Sequence, residues 1–145
     1  MSTTATNRIV QPYLSFDGKC EEALEFYKRA LNAEVVTLMR FKDNPQAGCG
    51  TPGSEDKVMH AQYRIGQTDL MASDGECLGK PNFDGFALSH AVPTEADADK
   101  TFNALADGGK VEMPLTETFF STRFGMVADR YGVRWMILVT PNSAS

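Results

Sequence analysis

The chain has 145 residues, 42% hydrophobic and 23% charged, the balance of an ordinary globular protein with enough length for a sizeable core. Its 14 basic and 19 acidic side chains leave a formal net charge of −5, which argues against a nucleic-acid groove, where Lys and Arg cluster. No apolar run is long enough to span a bilayer, and the opening MSTTATN lacks the basic and apolar regions of a signal peptide.

Residues 8–16 alternate apolar and polar side chains around Ile9, Tyr13 and Phe16 and predict a strand. Asp17-Gly18 is a turn pair. Over residues 19–32, Cys20, Ala23, Leu24, Tyr27, Ala30 and Leu31 recur at helical spacing, with Glu21, Glu22, Glu25, Lys28 and Arg29 on the other face. Glu25 and Arg29 form an i,i+4 pair of supporting sign. Glu21 and Glu22 sit where the first turn of a helix favours negative charge, so they read as dipole partners and not as a catalytic dyad. A β-branched run over 35–41 predicts a second strand.

The stretch 42–57 holds Asn44-Pro45, Gly48, Gly50, Pro52 and Gly53, and reads as a long loop. Residues 48–53 look at first like a phosphate cradle. They lack the Gly-Lys-Ser/Thr ending, and Pro52 removes a backbone donor, so a plain loop is the better reading. Residues 58–65 alternate cleanly, with Met59, Ala61, Tyr63 and Ile65 on one face and His60, Gln62 and Arg64 on the other. Gly66-Gln67 turns the chain into a strand over 68–73, giving a hairpin.

A second loop covers 74–84, and 85–92 predicts a strand. Thr94 and Asp97 have capping-box spacing, and the helix they open puts Ala98, Phe102, Leu105 and Ala106 on one stripe before Gly108-Gly109 ends it. Residues 110–113, 123–129 and 133–139 predict three more strands, with Tyr131-Gly132 as the last hairpin turn. Residues 142–145 are a tail.

The elements repeat. The helix end FYKRALNAEV at 26–35 recurs loosely as TFNALADGGKV at 101–111, and the closing IGQTDLM at 65–71 as YGVRWMI at 131–137. Each half reads as strand, helix, three strands, which divides one α+β domain into βαβββ modules over 8–74 and 84–140. Neither unit can close a core alone, so the two are expected to pair through their sheets around a concave surface.

Two histidines exclude a three-histidine zinc site by count. His60 shares a polar face with Gln62 and Arg64, and two readings stay open: a cavity-lining base or hydrogen-bond donor, or a solvated outer face. His90 alternates with Phe86, Leu88 and Val92 and reads as a packed residue. The three cysteines, Cys20, Cys49 and Cys77, show no paired spacing, which suits a reducing cytoplasm. Cys20 lies on the buried helix stripe, and Cys49 has no basic neighbour in sequence to activate it. Phe119, Phe120 and Phe124 place three aromatics at the mouth of a strand, either as pocket lining or as packing.

The run PYLSFDGKCEEALEFY at 12–27, with FGMVADRYGVRWMI at 124–137, resembles the PhnB-like branch of the vicinal oxygen chelate superfamily, which includes glyoxalase I, extradiol dioxygenases and bleomycin-resistance proteins. The resemblance covers nearly the whole chain. It implies two βαβββ modules with curved mixed sheets around a cavity, helices on the outside, and assembly as a homodimer. Metal-dependent members carry ligands on the first and last strands of each module. Those positions fall here at Gln11, at Leu70 or Met71 with Asp74 just beyond, near Gly85, and at Met136, and they offer no shell for a hard divalent cation. PhnB-like sequences are often labelled demethylubiquinone methyltransferases, yet no glycine-rich loop on a parallel α/β unit is present to hold S-adenosylmethionine.

The expectation is therefore a cytoplasmic homodimer binding a small apolar or aromatic molecule, with no metal, other cofactor, nucleic acid or membrane involved. Gln11, Tyr13, His60, Gln62, Phe120, Phe124 and Met136 would line the cavity. The alternatives are an isomerase, lyase or dioxygenase with a displaced metal on His60, Gln11 and Asp74, a metal-free enzyme using His60 as general base, and a structural dimer with a filled cavity.

Overall fold

A computed structural model describes residues 8–43, 53–75 and 80–140. In chain order the elements are β1 (Tyr13–Ser15), α1 (Cys20–Leu31), β2 (Glu34–Arg40), β3 (Val58–Ile65), β4 (Thr68–Ser73), β5 (Leu88–Val92), α2 (Glu95–Ala106), β6 (Lys110–Thr116), β7 (Phe124–Ala128) and β8 (Arg134–Val139), with short 3-10 turns at Phe41–Asp43 and Ser54–Asp56. Strand order is β1-β4-β3-β2 in one sheet and β5-β8-β7-β6 in the other. In each, the first strand runs parallel to the last and the other pairs are antiparallel. Two helices and two four-stranded mixed sheets of identical topology make this an α+β fold built on a duplicated plan.

Several boundaries differ from expectation for local reasons. The first strand is confined to Tyr13–Ser15, because Pro12 has no amide to donate and contributes its carbonyl alone, to Met71 N at 2.9 Å. The fifth strand begins at Leu88 and not at 85, because Gly85 adopts φ +88° and breaks the extended run. The sixth runs on to Thr116, with register shifts between Val111 and Met113 and between Met113 and Thr116. The Gly-rich segment up to 52, Cys49 and Cys77 lie outside the described residues.

Helix α1 buries Cys20, Ala23, Leu24, Phe26 and Tyr27, and Asn32 in the left-handed region ends it. Glu25 pairs with Lys28 at 3.2 Å and not with Arg29. Phe26 falls off the expected stripe yet is buried, because the Arg130 guanidinium covers its ring at 4.5 Å and Tyr131 meets it edge-on at 5.8 Å. In α2, Thr94 Oγ1 accepts from Asp97 N at 3.1 Å, so the expected cap forms. Ala98, Phe102 and Leu105 are buried beneath this helix. Gly125 on β7 leaves room for it: a Cβ there would lie 2.8 Å from the Phe102 ring.

The joint between modules runs through their helix-bearing faces, whereas the repeat suggested pairing through the sheets. Tyr27 on α1 stacks on Tyr63 of β3 (centroids 6.3 Å, 7° between planes) and meets Trp135 of β8 edge-on at 5.7 Å. One core therefore spans both modules. Because strand side chains alternate, each sheet keeps a second face with no helix over it, and both such faces point away from the shared core.

Candidate functional site

The helix-free face of the first sheet follows from register. Tyr13 lies beside Met71, Met71 beside Gln62, Met39 beside His60, and Ser15 beside Ser73. The Tyr13 hydroxyl reaches across β4 to His60 Nδ1 at 3.0 Å, with the rings 5.6 Å apart and tilted by 41°. When Nδ1 accepts from the phenol, Nε2 carries the proton, and the pair presents one N–H donor and one phenolic oxygen. Nearby, Asp69 gathers three side chains. Arg64 Nε donates to Oδ1 at 2.7 Å, Gln62 Nε2 to Oδ2 at 3.3 Å, and Gln11 Nε2 to the Asp69 carbonyl at 3.2 Å. The Arg64 hydrogen bond outweighs the opposing effect of desolvation and, with the Arg64 charge, holds the Asp69 carboxyl below its ordinary range.

The corresponding face of the second sheet is apolar. Met113 lies beside Met126, Met126 beside Met136, and Phe124 beside Leu138. Phe120 meets Phe124 edge-on at 5.2 Å and Phe119 at 5.1 Å. Phe119 is fully exposed and Phe120 is 40% exposed. At the edge of this face Arg134 Nε donates to Glu112 at 3.0 Å.

The seven residues singled out in the sequence thus fall into two groups. Tyr13 and His60 touch each other, Gln11 and Gln62 converge on Asp69, and Phe120 and Phe124 pack together with Met136 diagonally across on the adjacent strand, two residues from Leu138, which lies beside Phe124. The first four lie at one open face and the last three at the other, and a single chain does not bring the groups together. His60 stands on a helix-free face, hydrogen-bonded to Tyr13. Sequence reasoning missed Met39, Met113 and Met126, and weighed Met71 only as a metal position, although the strand alternation that exposed His60 also places them. With Met136, five of the seven methionines lie on these two faces. Thioether side chains adapt to irregular surfaces and suit binding sites.

Asp74 does not serve the open face. It is fully buried; Oδ1 accepts from Gly18 N at 2.9 Å and Cys20 N at 2.7 Å, and Oδ2 from Val58 N at 2.6 Å. It closes the N-terminus of α1 and ties it to β3. A displaced metal on His60, Gln11 and Asp74 therefore fails on geometry, since one proposed ligand is spent behind the sheet. Cys20 is buried beside it, and burial, followed by the charges of Asp74 and Glu21, pushes its thiol well up, so it packs and does not react.

Paired four-stranded sheets of this order, each backed by one helix, define the fold of the glyoxalase, bleomycin-resistance and dioxygenase proteins. A glyoxylase/bleomycin resistance protein/dioxygenase domain from a Frankia species shares it, with TM-score 0.64 over 94% of both chains at 16% identity. Within that class the chain belongs to the PhnB-like family described as 3-demethylubiquinone-9 3-methyltransferase, whose family model matches residues 8–138. It is similar to the protein YjdN of Escherichia coli, 36% identical over 90% of this chain and 94% of the relative. It also resembles the PhnB protein of Bacillus cereus, 30% identical with TM-score 0.76 over 92% of this chain and all of that one.

The family description names a methyl transfer, which implies a sulfonium donor such as S-adenosylmethionine. Among the described residues, neither helix start fits that group. The β1–α1 turn, where a nucleotide loop would stand, spends the amides of Gly18 and Cys20 on the Asp74 carboxylate, and the first turn of α2 is capped by Thr94. No helix of the described residues is long and apolar enough to cross a membrane.

Proposed function

We propose that the protein binds a small apolar or aromatic molecule between the first-module face of one chain and the second-module face of another, as a metal-independent homodimer in the cytoplasm. The observation that carries this reading is the complementarity of the two helix-free faces. One offers an ordered polar pair, Tyr13 and His60, beside methionines, and the other an aromatic and methionine wall around Phe124. A ligand held there has its body against Phe120, Phe124 and Met136 and one polar substituent at Tyr13 and His60, the usual division of labour in a small-molecule site. Pairing these faces also covers side chains that a monomer leaves in water, including Phe120, Met39 and Met113. Among the positions that carry metal ligands in metal-dependent members, Gly85 has no side chain and Met136 is a soft thioether, which leaves the amide oxygen of Gln11, whose Nε2 is bonded to the Asp69 carbonyl, with too few donors beside it for a hard cation.

Sedimentation, thermal shift against an aromatic and apolar compound set, and elemental analysis of chelator-free protein test the reading together. A dimer that becomes monomeric in Met136→Glu, and a stabilisation of roughly 2.7 kcal/mol at about hundredfold excess over the dissociation constant, are expected. Tyr13→Phe should weaken a ligand bearing a polar substituent by about fivefold, the worth of one hydrogen bond. A monomer that no compound stabilises, or stoichiometric zinc, iron, nickel or manganese, overturns it.

A further inference from the structure

The shared core does not close completely where the two modules meet. At the seam between the β3–β4 hairpin and the β5–β8 edge lies a cleft of about 170 Å3. Its walls are Ile65 and Leu70 from the helix-bearing face of the first sheet and Leu88 and Trp135 from that of the second, with Pro12 at one side. Three polar residues also line it: Thr68, Ser89 and His90. Ile65, Leu70 and Trp135 are core residues, no more than 6% exposed, whereas Thr68 and Ser89 at the rim are exposed, so the cleft runs from the surface to the end of the core.

We propose that this seam cleft is a second ligand site, separate from the open faces, which takes one neutral six-membered aromatic ring carrying a single hydroxyl. Size sets the first limit. Drug-sized ligands occupy about 300 Å3 or more, whereas an apolar cavity of about 150 Å3 holds a benzene ring. Charge sets the second, because among the described residues no carboxylate, ammonium or guanidinium lines the cleft to neutralise an ion. Shape sets the third. Trp135 already meets the His90 ring at 6.4 Å and 78°, and a guest ring can extend this edge-to-face arrangement against aliphatic walls. Burial lowers the His90 pKa, so its imidazole is neutral near pH 7 and offers a ring nitrogen that accepts from a phenolic O–H.

Phenol and toluene are the probes, and the one tryptophan of the chain, Trp135, lines the cleft and supplies the signal. Phenol should change the tryptophan fluorescence saturably and bind about fivefold tighter than toluene, the difference one neutral hydrogen bond makes. His90→Leu should erase that preference while retaining toluene binding. Amide shifts in the unsubstituted protein provide a readout that does not depend on any variant folding, and they should centre on Thr68 and on residues 88–90. Absence of saturation, equal affinity for the two probes, or shifts centred on Tyr13, His60 and Phe124 would each overturn the proposal.

Discussion

The Tyr27 hydroxyl on α1 donates to Asp129 Oδ2 between β7 and β8 at 2.5 Å, joining residues 102 apart in sequence at the boundary of the two modules. Asp129 is 3% exposed and accepts three further hydrogen bonds: Trp135 Nε1 at 2.9 Å, Tyr131 N at 2.8 Å and Val133 N at 3.2 Å. Burial pushes the Asp129 carboxyl above its ordinary range while these donors pull it back. The Tyr27 phenol is pushed well up by burial and then by the Asp129 charge, so the proton stays on the tyrosine. Tyr27→Phe should cost about 1–3 kcal/mol, because it removes one donor from a buried acceptor and leaves the ring stack intact. Asp129→Ala should cost more, since it strands the Tyr27 hydroxyl, an indole N–H and two amides. Urea denaturation measures both, and equal costs for the two variants would show that Tyr27 carries the whole effect.

Asp74 plays the same part inside the first module, where one carboxylate gathers Gly18 N, Cys20 N and Val58 N. Asp74→Ala leaves two buried amides and one half-buried amide without this partner and removes a negative charge from the α1 N-terminus, so a loss of about 3 kcal/mol is expected. Its reading as a cap also predicts that the metal content of purified protein is the same in the variant as in the parent. A fall in bound metal on substitution would return Asp74 to the site.

These two aspartates mark the limit of what the sequence discloses. Periodicity located both helices, the capping role of Thr94, and the alternation that puts His60 and Gln62 opposite Ala61 and Tyr63, because each is set by neighbours within a few positions. The partners of Asp74 lie 16 to 56 residues away, and nothing in local pattern distinguishes a buried acceptor of amides from an acidic loop residue. The same distance hid the Tyr13–His60 bond, 47 residues apart, although each residue was marked separately by its polar or aromatic character. The duplicated plan was readable too, but not which faces of the two units meet. That depends on how Tyr27, Phe26 and Phe16 pack against Tyr131 and Trp135, and the helix stripe does not encode it.

Gly125 gives a steric test of how α2 seats on its sheet. A Cβ there would lie 2.8 Å from the Phe102 ring and 2.9 Å from the Met113 carbonyl oxygen. The ring can turn aside, but the carbonyl belongs to the β6–β7 ladder and has little freedom. Gly125→Ala should therefore destabilise by about 1–3 kcal/mol through overpacking, and Gly125→Ala with Phe102→Leu should recover only part of the loss. Thermal melts of the single and double variants decide this; a neutral single substitution would mean that the helix rides further from the sheet.

His90 makes the seam sensitive to acid. Burial disfavours its imidazolium and lowers its pKa below the ordinary histidine value. Arg29 from α1, with Asp97 and Lys100 from α2, lines the depression on which it also borders. The sign follows from linkage. Above about pH 6.5, the ordinary histidine value, the ring is neutral in both folded and unfolded chains and makes no difference to stability. As the pH falls through that value the unfolded chain takes up the proton first, so stability is lost until the lower folded value is passed, and the deficit is constant below it. The parent should thus lose more stability than His90→Gln between pH 7.5 and the onset of carboxylate titration. Urea midpoints of the two proteins compared across that interval provide the measurement, and parallel pH profiles would show that the His90 ring is protonated as readily in the folded chain as in the unfolded one.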